Sequence, residues 1–223
     1  MPATRVFLVR HGATVLSAED RFAGSTDVEL SDEGRAQARR LGERIAGEPL
    51  AAVYASPMRR ARDTARLIAG EKPLEVVVRE GLREIDHGRW EQLTRKEVEA
   101  SFPDEYAAWE TDPFTSAPLR GETGLAVVAR ALPVLREIVA AHGGQKVLVV
   151  SHKATIRLLL AVFLGFDART YRDRLDQLPC SLNILDFKDP GRARLMLFND
   201  VAHYAGYPGE PGARLSKWWD EKE

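Results

Sequence analysis

Arg10-His11-Gly12 closes an apolar run, Val6-Phe7-Leu8-Val9. An imidazole beside a guanidinium at the end of a buried strand is suited to attacking a phosphoryl group. Arginine offers two N–H donors in one plane, as a phosphate requires, and glycine lets the backbone come close. His152 repeats the setting, following Val147-Leu148-Val149-Val150-Ser151. Either histidine alone reads best as a satisfied core residue. Both stand at the carboxyl ends of apolar strands, where open α/β sheets bind ligands, and they form one site if the strands are neighbours.

A second cation lies in Ser56-Pro57-Met58-Arg59-Arg60-Ala61-Arg62-Asp63-Thr64-Ala65. Helical phase puts Arg59, Arg62, Asp63 and Arg66 on a solvated stripe. It puts Arg60 with Thr64 and Leu67, beside the apolar stripe of Met58, Ala61, Ala65 and Ile68. Arg60, in a first turn near a strand end, adds its guanidinium to the helix amides as an anion donor. A leaving alkoxide also needs a proton. Glu84 and Asp86, in Leu82-Arg83-Glu84-Ile85-Asp86-His87-Gly88-Arg89-Trp90-Glu91, are both eligible to supply it.

The elements that must position these residues alternate between strand and helix. Arg5–Val9 reads as a buried strand. Ser31 is an N-cap, with Asp32 and Glu33 in the first turn, Ala38, Leu41 and Ile45 at helical spacing, and Gly47 as a stop. Ala51–Ala55 is a short strand, after which Ser56 reads as an N-cap with Pro57 at the first helical position. Leu74–Val78 is a third strand. Leu125, Val128, Leu132, Leu135, Ile138 and Val139 mark a long helix containing Pro133. Lys146–Ser151 is a strand, Ala154–Leu164 a helix, and Ser181–Phe187 with Arg194–Phe198 a hairpin. The pattern predicts an α/β fold, a three-layer sandwich with a central, mostly parallel sheet flanked by helices. Residues 1–223 read as one domain. A small helical cap insertion occupies about 94–124, with Phe102, Tyr106, Trp109 and Phe114 as its aromatic content. The tail, 204–223, reads as an end pinned by Trp218-Trp219, with a lid or contact arm as the alternative.

Thirty-two basic against thirty-three acidic residues leave a formal charge of -1, so nothing draws the whole molecule to nucleic acid or an anionic membrane. Any anion recognition is therefore local. The single Cys180, in Leu178-Pro179-Cys180, excludes an internal disulfide and reads as core. No apolar run approaches the ~20 residues of a membrane span, and no signal-peptide core is seen. A cytoplasmic protein is expected.

In this order, the motifs resemble the histidine phosphatase superfamily, which contains the cofactor-dependent phosphoglycerate mutases and many small-molecule phosphatases. The carriers are Arg10-His11-Gly12, Ser56-Pro57 with Arg60-Ala61 and Thr64-Ala65, Glu84 with Gly88-Arg89-Trp90-Glu91, and Ser151-His152. Arg21-Phe22-Ala23-Gly24, Asp27, Leu30-Ser31 and Gly121-Glu122-Thr123 add support. The resemblance spans roughly Arg5 to Leu160. It implies that His11 is the nucleophile and forms a phosphohistidine, while Arg10, Arg60 and His152 hold the transferring oxygens. Glu84 would be the proton donor. Ser17, Gly24, His87 and Lys153 would border the substrate, a small-molecule phosphomonoester, and no metal or cofactor is implied.

Departures from the mutase pattern favour hydrolysis. Ser17 and Ala18 stand where mutases usually carry asparagine and lysine, Ala23 where they carry threonine, and His87 where they carry tyrosine. The longer middle segment of mutases is also missing. Lys153 replaces a common glycine after the second histidine. Its ammonium either meets a second anionic group of the substrate or sits in solvent. His87 either reaches the substrate or packs against Trp90. A mutase-type phosphotransferase and a non-catalytic phosphate- or partner-binding module on the same fold remain the alternatives. The physiological substrate is open among phosphoglycerate derivatives, sugar phosphates, phosphoserine and ribazole phosphate. A homodimer through a sheet edge or the tail is equally open.

Overall fold

The computed structural model describes residues 2–18 and 21–205, and only the backbone of 17 and 18. In chain order the strands are β1 (Thr4–Arg10), β2 (Leu50–Ala55), β3 (Val76–Val78), β4 (Lys146–Ser151), β5 (Leu182–Asp189) and β6 (Arg192–Asp200). The helices are α1 (Val15–Ala18), α2 (Asp32–Arg44), α3 (Arg59–Ala69), α4 (Arg95–Ser101), α5 (Pro103–Thr111), α6 (Gly124–Ala141), α7 (Lys153–Leu164) and α8 (Tyr171–Arg174). They build one six-stranded sheet in the order β3-β2-β4-β1-β5-β6. The first four of these pair in parallel, and the β5–β6 hairpin adds antiparallel to β1. The tail reading beyond residue 205 lies outside the described residues.

Alternation along β1 makes the layers. Phe7 and Val9 face Ala38 and Leu41 of α2 and Ala61, Ala65 and Ile68 of α3. Val6 and Leu8 face Leu135 and Ile138 of α6 and Ile156, Leu159 and Leu160 of α7. A strand apolar on both faces cannot be an edge strand, and β1 is central. Cys180 is buried in the first of these cores, as expected, and burial pushes its thiol up to about 12.

Two local expectations are corrected. The third strand begins at Val76, two residues later than the apolar run indicated. Ser56 and Pro57 do not start α3, which opens at Arg59 with Met58 at its N-cap and no side-chain cap on that residue. The physical reason is long-range: the Ser56 hydroxyl faces His152, and Asp27 instead accepts the Arg59 N–H at 2.7 Å. Pro133 lies inside α6 without ending it.

The insertion is helical, as expected. Thr94 and Glu97 form a reciprocal capping box on α4, and Pro103 opens α5. Its aromatic rings divide between two small cores. Tyr106 and Trp109 are buried with Phe22, Trp90 and Val98 in a small core of their own, which Phe102 borders. Phe114 packs near Ile85, Val127 and Leu158. The Arg172 guanidinium lies 4.3 Å over the Trp109 ring and donates to the Glu110 carbonyl at 3.0 Å, fastening α5 to α8.

The loop after β1 depends on close backbone approach. A Cβ on Gly34 would fall 2.1 Å from the Ala13 carbonyl oxygen, and one on Gly12 would fall 2.5 Å from that of Gly34. Ser31 ties the same turn by capping α2 and donating its hydroxyl to the Ala13 carbonyl. Gly34→Ala is therefore expected to push α2 away from this loop and to destabilise by about 1–3 kcal/mol, read as a lowered melting temperature.

Candidate active site

Parallel pairing of β1 with β4 sets Arg10 opposite Ser151, so the next residue of each strand lies side by side. The His11 and His152 ring centroids are 5.1 Å apart, with planes inclined by 58°. The peptide of His11 is pinned on both sides: its N–H donates to Ser151 and its carbonyl accepts from Cys180, each at 3.0 Å. Its Nδ1 lies 2.8 Å from the Gly12 carbonyl. A carbonyl only accepts, so Nδ1 carries the hydrogen and Nε2 keeps the lone pair. Burial, reinforced by Arg60 and Arg10, holds the ring well below the usual histidine range. The result is a neutral imidazole in its nucleophilic form.

His152 is fully buried, and its Nε2 is 2.6 Å from the Ser56 hydroxyl. That oxygen also accepts the Met58 N–H, and among the described residues Nε2 is the one acceptor for its own buried proton, so Ser56 donates to Nε2. His152 Nδ1 is then an N–H donor, and among the described residues it is buried without an acceptor. Burial, with Arg60, His11 and Arg10, lowers this ring as well.

Arg10 and Arg60 are both buried. Arg10 donates to the Gln177 carbonyl at 2.6 Å. The side chain of Gln177 is locked by Ser181 and Asn183, and Asn183 bonds back to the Leu8 carbonyl. Burial pulls the Arg10 guanidinium down to about 10, still a cation at neutral pH. Arg60 donates to the carbonyls of Thr26 at 2.7 Å and Gly24 at 2.9 Å. In both arginines Nε is buried and, among the described residues, unpaired. Gly24 has φ +36°, and a Cβ there would fall 2.2 Å from Glu91 Oε1. Glu91 in turn accepts from the Ser25 and Thr26 hydroxyls, so this loop is held from two sides.

Of the two candidate carboxylates, Asp86 closes its own turn by accepting the Gly88 N–H at 2.7 Å. Glu84 reaches the start of α7. Its Oε2 accepts from Ala154 N–H at 3.2 Å, and its Oε1 from Thr155 N–H at 3.2 Å, with the Thr155 hydroxyl oxygen also 3.2 Å away. Behind it stands a clamp absent from the sequence-derived set. Glu122 accepts pairs of bonds from Arg83 and from Arg130, plus the Asp86 N–H. Arg130 also donates to the carbonyls of Gly81, Arg83 and Glu84. Arginines around Glu122, with the Asp86 amide, outweigh its burial and hold its carboxyl below the usual value.

His11, Arg10, Arg60, His152 and Glu84 are thus linked through one set of strand and helix ends. The peripheral set is more scattered. His87 is buried, its ring 4.7 Å from Phe22 and 6.5 Å from Trp109. Lys153 is not in solvent: its side chain is 16% exposed, with Nζ 3.6 Å from Asp176, which also pairs with Arg157 at 2.9 Å. Ser17 falls in α1, and its side chain lies outside the described residues. Sequence reasoning missed Ser56 as the partner of His152, Thr155 beside Glu84, and Gln177 beneath Arg10. Their only local signals were a Ser-Pro pair read as a cap and polar residues inside apolar stretches. Together the site offers one neutral nucleophilic nitrogen and several buried N–H donors, an arrangement that can receive a phosphoryl group. Among the described residues, no group of three or more His, Cys, Asp or Glu is placed to hold a metal ion. Among them also, no helix is long and apolar enough to cross a membrane.

Residues 6–201 match the model of the histidine phosphatase superfamily (branch 1). The chain is 34% identical over 163 residues to phosphoserine phosphatase 1 of Hydrogenobacter thermophilus, covering 73% of this chain and 77% of that one. It is 35% identical over 172 residues to glucosyl-3-phosphoglycerate phosphatase of Mycolicibacterium vanbaalenii, covering 74% and 76%. Among solved structures, Bacillus stearothermophilus YhfR superposes with a TM-score of 0.84 at 34% identity, over 90% of this chain and 99% of that one.

The Glu122 clamp carries a pH signature. With its pKa lowered from 4.5 on folding, the carboxylate contributes stability that is fully present above that value and lost as pH falls through its folded value. Glu122→Gln should cost about 1–3 kcal/mol at neutral pH, and the gap to wild type should close on acidification below 4.5, as measured by denaturant unfolding across pH.

Proposed function

Because the chain belongs to the histidine phosphatase superfamily and is a phosphomonoester hydrolase of that fold, we propose that it works without a metal through a phosphohistidine on His11. The observation that carries this is the neutral His11 with a free Nε2, beside buried donors of Arg10, Arg60 and His152 that have no acceptor among the described residues. Buried unpaired donors are costly, and a phosphate's oxygens satisfy them.

In the first half-reaction, His11 Nε2 forms a bond to phosphorus as the ester P–O bond breaks. Glu84, protonated, gives its proton to the departing oxygen, and the alcohol leaves. In the second, water attacks the phosphohistidine and passes a proton to the Glu84 carboxylate. The P–N bond breaks, returning neutral His11 and inorganic phosphate. Arg10, Arg60 and His152 Nδ1–H follow the equatorial oxygens through both steps, so the catalysis is positioning plus electrostatics.

The substrate is a small phosphorylated metabolite. The two relatives' names denote phosphomonoesters that also bear a carboxylate, and Lys153, beside His152, is proposed to receive such a second anionic group. His87, Gly24 and Ser17 complete the border, under the cap at about 94–124. The whole of 1–223 is taken as one cytoplasmic enzyme domain.

Phosphate release from a panel of phosphomonoesters in EDTA tests the reading. Wild type should turn over and His11→Ala should not, while both melt alike. Absence of release, with phosphohistidine still formed, would mean a mutase-type transferase instead. Since His11 must be neutral to attack and its pKa is lowered, the acidic limb of kcat/KM should fall below pH 6.5. Glu84→Gln should slow alkyl phosphates far more than p-nitrophenyl phosphate, whose phenolate leaves with little help.

A further inference from the structure

Glu84's two oxygens are not equivalent. Oε1 accepts from Ile85 N–H at 3.0 Å and from Thr155 N–H at 3.2 Å, with the Thr155 hydroxyl also 3.2 Å away. Those bonds fill the acceptor sites that an sp² oxygen offers. Oε2 accepts from Ala154 N–H alone among the described residues, leaving it one free lone pair. A proton placed on Oε1 would face two backbone N–H groups, whereas Oε2 can take one without losing a bond.

The single Thr155 hydroxyl proton goes to the nearer acceptor, the Arg83 carbonyl at 2.8 Å, so the side chain holds the backbone just before Glu84 while the Thr155 N–H holds Oε1. Arg130 holds that backbone from the other side through the Arg83 and Glu84 carbonyls. Thr155 is fully buried and sits one turn into the helix whose N-cap is His152. The carboxylate and the second histidine are thereby referenced to one helix end.

We infer that Glu84 exchanges its proton through Oε2, and that Thr155 is a positioning residue whose hydroxyl, by holding the Arg83 carbonyl, fixes the backbone that aims Oε2. The inference rests on the acid–base role proposed for Glu84 and adds which atom acts and what orients it. A misaimed acid harms poor leaving groups and spares good ones, which separates positioning from general loosening of the pocket.

The test uses Thr155→Val, of matched shape, with Thr155→Ser and Glu84→Gln alongside. Each is assayed on p-nitrophenyl phosphate and on the best alkyl ester of the panel, with melting temperatures recorded. Thr155→Val should lower kcat for the alkyl ester about tenfold, with KM and p-nitrophenyl phosphate turnover within about twofold of wild type. Thr155→Ser should restore the alkyl rate. If Thr155→Val matches wild type, slows both esters equally or changes KM alone, while Glu84→Gln keeps its leaving-group contrast, the positioning role is overturned and the acid role stands. If Glu84→Gln shows no contrast, both are overturned.

Discussion

Everything chemical in this molecule depends on the parallel register of β1 with β4. It sets Arg10 against Ser151, and the two histidines follow as the first residues beyond the paired segment. A slip by one residue would turn every side chain to the opposite face, burying polar groups among aliphatic ones. The apolar residues on both faces of both strands therefore do more than stabilise the sheet. They fix a 5.1 Å separation between two rings that come from opposite parts of the chain.

Around that pair the structure solves an electrostatic problem. Two guanidiniums are buried together, close to two imidazoles, with no carboxylate bonded directly to either guanidinium among the described residues. Backbone carbonyls of Gln177, Thr26 and Gly24 take the place of counter-charges. Carbonyl dipoles orient a guanidinium without neutralising it, so the positive potential persists where an anion would sit. Burial, reinforced by the same field, keeps both histidines neutral. The carboxylates stand one layer back, at the start of α7 and in the Glu122 clamp.

Much of this was legible in the sequence, because it follows from short-range patterns. Apolar strand ends exposed His11 and His152, helical phase singled out Arg60 from its neighbours, and Ser31 capped α2 as read. Glu84 and Asp86 could not be separated by local pattern; the resemblance pointed to Glu84, and it is Glu84 that reaches the start of α7. Ser56 was misread for a related reason. A Ser-Pro pair is a good cap signature, but its hydroxyl is used by a residue 96 positions away. The clamp of Glu122 and Arg130 likewise joins segments whose sequence separation hides them from any periodicity. The burial of Tyr106 and Trp109 was not legible either, since ring content does not tell whether a ring faces a ligand or its own core.

That separate core in the cap has an evolutionary consequence. Tyr106 and Trp109 pack on Phe22 and Trp90, away from the aliphatic layers that flank β1 and β4. Mutational change on the outer faces of α4 and α5 is therefore insulated from the register that aligns the histidines. A lineage can vary the outer faces of these two helices while the strand pairing beneath stays fixed.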